Sequence, residues 1–173
     1  FADALMRRQA DKVEIDDIHA GVKEVFEKVK GAYSVVGITQ DGMYAFRDPF
    51  GIKPCILGKR ESDEGTFYAV ASESVVLDIA GYEIVRDLAA GEMMWIGEDR
   101  VPQFRMVGES PHRPCIFEYV YFARPDTFLD GVSVHEARME MGRRMAKRFL
   151  ETGLKADAVI PVPESARSAA RTM

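Results

Sequence analysis

Three short stretches of this chain carry residue types that could do chemistry. Pro163-Glu164-Ser165-Ala166 follows a short apolar run and precedes a helix-like one. In open α/β sheets ligands gather at the carboxyl ends of strands, and the first backbone N–H groups of a helix suit a phosphate. Glu164 is itself acidic, so an anion there would be held by backbone amides, by Ser165 or by a metal-bound water. The plainer reading makes Ser165 a helix N-cap. Arg47-Asp48-Pro49-Phe50-Gly51-Ile52-Lys53-Pro54 is a charged pair entering a loop punctuated by Pro and Gly. It reads either as a tight turn with a surface ion pair, or as a pocket wall in which Gly51 lets backbone approach a ligand closely.

The third stretch runs from Pro114 to Asp126. Ten of its thirteen residues are apolar, aromatic or proline, yet Glu118, Arg124 and Asp126 sit among them. An unpaired buried charge is expensive, so these three are expected to be paired or to lie at a domain junction or site. Cys115, in the same stretch, reads first as a buried junction residue acting as a small hydrophobe. The histidines give little: His19, His112 and His135 have no Cys, Asp or second His at metal or triad spacing. Met93-Met94-Trp95 reads as core, and Arg143-Arg144 with Lys147-Arg148 as a solvated or inter-domain helix face.

The elements that must position these residues change period along the chain. Ile18, Val22, Val25, Phe26 and Val29 recur at three and four, predicting a helix over 15–30 capped by Asp16 or Asp17 and stopped at Gly31. A shorter helix is expected over 2–9. Runs at 32–39, 43–47, 55–59, 66–71, 83–85, 92–96 and 100–107 predict strands, with tight turns at Asp41-Gly42 and over 61–65. Residues 74–79 offer a turn or two of helix ended by Gly81. Residues 32–107 therefore read as a mainly antiparallel sheet. After Pro111, Ser133 and Glu136 form a capping box for a helix that Gly153 ends. A short strand over 156–162 and a helix over 168–173 suggest the opening of an α/β domain with a parallel sheet. The boundary is expected over 108–115, giving domains 1–112 and 113–173.

Composition sets limits. A net charge of −5 argues against a nucleic-acid partner, which would require a basic stripe. No apolar run approaches the ~20 residues that span a bilayer, so no membrane partner is expected. Two cysteines are too few for a disulfide framework, and a reducing cytoplasm is the expected location. The chain opens on Phe1 and stops at Met173 in helix-like sequence, so a piece of a longer protein is expected.

Pro114–Asp126 closely resembles the segment joining the two halves of glutamine phosphoribosylpyrophosphate amidotransferases, the amidophosphoribosyltransferase family. The Arg47–Pro54 string resembles the Arg-Asp-Pro-x-Gly-x-x-Pro segment of amidotransferases whose nucleophile is an N-terminal cysteine. Ala71-Ser72-Glu73-Ser74, 23 residues beyond Asp48, resembles the strand-end motif that follows it. Both also occur in asparagine synthetases, whereas Cys115–Asp126 does not. Val159–Ser165 matches the family in order. The departures are Lys53-Pro54-Cys55, more often Arg-Pro-Leu, and Thr127, more often Ser.

The resemblance implies an α+β chain: part of an N-terminal-nucleophile hydrolase (αββα) glutaminase domain, then the start of an α/β type I phosphoribosyltransferase domain. It implies that the parent enzyme hydrolyses glutamine and passes the ammonia to phosphoribosyl pyrophosphate, with Mg²⁺, giving 5-phosphoribosylamine, the first step of purine synthesis. Such enzymes are cytoplasmic homo-oligomers, inhibited by purine nucleotides. Pro163, Glu164, Ser165 and Ala166 would contact the pyrophosphate; Arg47, Asp48, Gly51 and Glu73 would scaffold a pocket. Cys115 would be a [4Fe–4S] ligand in members that carry a cluster, which needs about four thiolates. No residue of this chain is assigned a bond-breaking role: the glutaminase nucleophile is a terminal cysteine, Cys55 is internal, and the remaining machinery would precede Phe1 or follow Met173. The alternatives are an asparagine-synthetase-like amidotransferase and a non-catalytic regulatory or scaffold paralogue.

Overall fold

A computed structural model describes residues 12–173; the helix expected over 2–9 lies outside the described residues. The chain divides into two compact units. The first holds residues up to Ser72 and Val76–Pro114; the second holds Glu73–Val75 and Cys115–Met173.

The first unit is layered. Helix α1 (Ile15–Lys28) precedes β1 (Ser34–Thr39), β2 (Gly42–Arg47), β3 (Ile56–Ser62), β4 (Gly65–Ala71), the short α2 (Ser74–Ile79), β5 (Glu83–Asp87), β6 (Glu92–Ile96) and β7 (Pro102–Met106). The single sheet expected from sequence is two antiparallel sheets, ordered β1-β2-β6-β7 and β4-β3-β5. Side-chain alternation explains the split, because successive strand residues face opposite ways. On β2 and β6, Ala45, Met94 and Ile96 join Cys55, Leu57 and Leu88 in one core, with Tyr68 and Val70 of β4 against it. Their neighbours Phe46, Met93 and Trp95 join Ile18 and Val22 of α1 in a second core. The β1-β2-β6-β7 sheet is thus apolar on both faces, which is why Met93-Met94-Trp95 reads as unbroken core. On the outer face of β3, Gly58 leaves room for Leu77 of α2: an added Cβ would lie 3.1 Å from the Leu77 side chain. Helix, sheet, sheet, helix is the resulting order.

Most boundaries shift by a residue or two, and β3 runs to Ser62, three residues past its predicted end. Glu14 rather than Asp16 or Asp17 caps α1, its N–H bonded to Asp17 Oδ2 at 3.0 Å. Thr39 pairs with Gly42, so the first hairpin turns on Gln40-Asp41, and Gly42 already belongs to the strand.

In the second unit the apolar junction string forms a π-helical turn, Glu118–Phe122, closed by Ala123 N–H to Glu118 O at 2.9 Å. A small hairpin, β8 (Phe128–Leu129) and β9 (Val132–Ser133), leads into α3 (Val134–Glu151). Ser133 Oγ accepts from Glu136 N–H at 3.3 Å, capping α3 as the sequence predicts. Residues 156–162 are not a strand: among the described residues no strand pairs with them. Ile160 and Val162 are 85% and 76% exposed. A lone extended run cannot satisfy its backbone groups, so apolar β-propensity without a neighbour leaves an irregular segment. The last helix, α4 (Arg167–Ala170), is a single turn packed on α3. Gly142 permits this approach, since a Cβ there would meet Ala169 O at 2.1 Å. Thr172 Oγ1 also donates to Met139 O at 2.7 Å.

Candidate functional site

The Arg47–Pro54 loop is not a surface ion pair. Arg47 and Asp48 are 2% and 0% exposed, and both turn inward onto backbone. Arg47 donates from Nε to Lys53 O at 2.7 Å, from Nη1 to Leu88 O at 2.8 Å and from Nη2 to Gly51 O at 2.8 Å. Asp48 Oδ1 accepts from Phe50 and Ile52 N–H at 3.0 and 3.1 Å, and Oδ2 from Lys53 N–H at 3.0 Å. Each charge-assisted bond contributes about 1.5–3 kcal/mol, enough to fix an irregular loop. Lys53 is gripped through its peptide, so a departure from Arg at that position leaves the clamp intact. Gly51 has φ 61°, and a Cβ would come within 2.8 Å of the His112 ring. Its missing side chain makes room for His112 and Ala90, not for open approach from solvent.

Cys55, beside this loop, is 1% exposed, and burial pushes its thiol up to about 12. It is an inert core residue, as its internal position predicts.

Glu73 lies in the second unit and ties the junction. Its Oε2 accepts from Arg124 N–H and Thr127 Oγ1, both at 2.8 Å, while Ser74 Oγ accepts from Phe128 N–H at 2.9 Å. Thr127 is fully buried; the bond needs only a hydroxyl, so Thr replaces Ser without loss. The three charges of the junction string divide. Glu118 is buried at 7% exposure. Arg124 and Asp126 pair through two bonds of 3.0 and 2.8 Å, and that pairing holds the Asp126 carboxyl below its ordinary range.

Alongside this junction a cleft of about 1030 Å³ opens within the second unit. Pro163, Glu164 and Ser165 line one side, Tyr121–Pro125 another, and Arg138, Arg167 and Arg171 contribute cations. Ala166, expected with the loop, is instead the residue before α4 and makes no side-chain cap; Ser165 is not the N-cap. Sequence reading missed His135, Arg138, Ser168 and Arg171 as cleft residues, because their proximity depends on α3 and α4 packing side by side. The one available signal was the i, i+3 spacing of His135 and Arg138 on the predicted helix.

Among the described residues no cluster of three or more His, Cys, Asp or Glu is arranged to hold a metal ion. The two cysteines are both free, Cys55 buried and Cys115 half-buried, and they fall in different units. By themselves these residues do not make an iron–sulfur site. No helix among the described residues is long and apolar enough to cross a membrane.

No family model matches the chain, but sequence and structural relatives are plain. Amidophosphoribosyltransferase of Haemophilus influenzae is 48% identical over 161 residues, covering 90% of this chain and 32% of that protein. The Escherichia coli enzyme of the same name is 44% identical over 170 residues, covering 95% and 34%. The Bacillus subtilis glutamine phosphoribosylpyrophosphate amidotransferase, solved in complex with ADP and GMP, superposes with a TM-score of 0.78 at 32% identity, covering 99% of this chain and 35% of that one. The chain therefore spans about a third of the length of the relatives it matches. By sequence and by its α+β fold, this chain belongs to the amidophosphoribosyltransferase family.

Proposed function

We propose that these residues are part of an enzyme that transfers glutamine-derived ammonia to phosphoribosyl pyrophosphate, giving 5-phosphoribosylamine at the start of purine synthesis. In this reading residues 1–112 belong to the glutaminase domain and 113–173 open the phosphoribosyltransferase domain. The observation that carries it is the cleft of the second unit, where Pro163–Ser165 and several arginines line one cavity in a chain of this family. Cationic guanidinium groups favour phosphate oxygens, and the loop's backbone amides supply neutral donors where Glu164 cannot. In the first unit Arg47, Asp48 and Gly51 act through the loop they hold, as scaffold. Glu73 holds the junction, setting the start of the Tyr121–Pro125 wall.

Mg²⁺ would assist by neutralising pyrophosphate charge. Cys115 would serve a cluster only with thiolates beyond those present in these residues, and visible absorbance with bound iron in the full-length protein tests that role. The parent enzyme is expected to be a cytoplasmic homo-oligomer, inhibited by purine nucleotides.

The reading is tested by assaying the full-length protein for glutamine- and phosphoribosyl-pyrophosphate-dependent release of pyrophosphate. Release that requires both substrates is expected; its absence from a folded, correctly processed protein overturns the proposal. The 173 residues alone are expected to hydrolyse no glutamine, because Cys55 is buried and protonated and Cys115 is internal. Glutamate formation by the purified chain would refute this.

A further inference from the structure

We propose that the first unit carries a binding site of its own, a cavity at the Trp95 indole that takes an organic cation bearing an uncharged oxygen acceptor. The site is separate from the second-unit cleft and does not depend on the reaction proposed above.

The cavity, of about 370 Å³, lies where the start of α1 meets the β1–β2 and β6–β7 turns. That volume is within the range of small-molecule sites. Trp95 is 4% exposed, and it packs with Ile18 and Val22 in the core beneath α1. A buried indole N–H ordinarily finds an acceptor, yet Nε1 makes no hydrogen bond among the described residues. No fully buried side-chain nitrogen or oxygen among those residues lacks a partner. Nε1 is therefore open, at the cavity that Trp95 lines. Gly97 keeps it so. A Cβ on Gly97 would lie 3.0 Å from Nε1 and 3.9 Å from Asp99 Oδ1. The space left by that missing side chain is thus flanked by a bare donor and a carboxylate.

Charge on the cavity wall selects a cation. Glu98 is paired with Lys12 at 2.6 Å, and Glu14 caps α1. Asp41 Oδ2 accepts from Val13 N–H at 2.8 Å, and Asp99 Oδ1 from Val101 N–H at 3.1 Å. Each of these two carboxylates keeps its other oxygen, and neither forms an ion pair among the described residues. Hydrogen bonding to Glu98 raises the Lys12 pKa, with Asp41 and Glu14 adding to it by charge. One ammonium therefore answers the whole acidic wall.

The bare indole donor narrows the class further. A polyamine matches the charge but, fully protonated, only donates. A carboxylate would accept from Nε1 but meets like charge on the wall. An ammonium or guanidinium joined to an amide or hydroxyl oxygen satisfies both.

The test titrates the full chain with argininamide, followed by calorimetry and by the fluorescence of Trp95, the only tryptophan in the chain. Saturable binding with a shift in Trp95 emission is expected. Putrescine, a cation without an acceptor, and propionamide, an acceptor without a cation, should each bind about fivefold more weakly or worse. Gly97→Ala sets a methyl group against Nε1 and should weaken argininamide about tenfold. Gly97 is not at positive φ, so its backbone accepts alanine. Asp99→Asn keeps an acceptor for Val101 N–H and removes the charge, for a loss of about fivefold. No saturable binding, binding that leaves Trp95 emission unmoved, putrescine or propionamide as tight as argininamide, or unchanged affinity in either variant would each overturn the inference.

Discussion

The two units use buried polar groups to opposite ends. In the first, Arg47 and Asp48 lie inside and direct three side-chain bonds each at backbone of their own loop or of Leu88. In the second, buried Arg138 commits two donors to carbonyls and leaves Nη1 at the cleft, while Arg171 commits none. Apolar surface divides less cleanly, since Ile38 and Ile79 of the first unit are 82% and 77% exposed and the second unit buries Leu129 and Val134. The sheets of the first unit bury Met93, Met94, Ala45 and Leu57 completely, whereas Tyr121, Phe122, Phe128 and Ile160 of the second stand 56–85% exposed. In the first unit these buried charges hold a loop in shape, whereas in the second a buried cation stands beside an open cavity.

The largest test of that contrast is Arg47→Ala. It strips at least three bonds and leaves their carbonyls unpaired, so the first unit should lose about 4 kcal/mol. Trp95 is the only tryptophan in the chain and lies in that unit's core, so its fluorescence during urea unfolding reports this loss directly. Stability within 1 kcal/mol of wild type would break the scaffold reading. Gly142→Val strikes the other unit by forcing a side chain against Ala169 O. A cost of about 3 kcal/mol is expected, seen in amide exchange of α3 with the Trp95 transition unmoved.

Asp48→Asn keeps an acceptor oxygen but loses the charge and half the clamp, for about 2 kcal/mol. Cys55 sharpens the comparison through pH. Its thiol is raised from 9.0 to about 12 by burial, so the folded state keeps a proton that the unfolded state releases. Stability is therefore complete below pH 9.0 and falls as pH rises toward the folded value, at no more than about 1.4 kcal/mol per pH unit. The alkaline slope should flatten in Cys55→Ala, and an identical slope would remove Cys55 as its source. The smallest effect belongs to Glu140→Gln. That residue pairs with Arg143 and Arg144 on the exposed face of α3, and exposed pairs contribute little; no change in melting temperature is expected.

Much of this was legible in the residues. The amphipathic spacing of α1, the Ser133 cap and the β-rich runs are local signals, and most appear within a residue or two of their predicted places, the strand at Ile56–Ser62 running three residues further. Arg124 and Asp126 do pair, but both are exposed, so the burial cost that led to the expectation does not account for their pairing. The loop at Arg47 was visible as a motif, but its burial was not, since a surface turn and a buried clamp share one local sequence. Residues 156–162 show the converse error. Their composition favours a strand, yet strand formation needs a neighbour that no local pattern supplies.

The sequence by itself determined the family, the α+β class and the change of character near Pro114, because periodicity, caps and motifs are written in neighbouring residues. Only the tertiary structure decided that the β-rich half makes two sheets, that Glu73–Val75 joins the second unit, and that His135 and Arg138 meet Ser168 and Arg171 across α3 and α4. Those outcomes depend on contacts between residues some thirty to fifty positions apart, such as Glu73 with Thr127 and His135 with Ser168. Packing selects such contacts, because burying apolar faces and satisfying every buried donor are conditions on the whole chain.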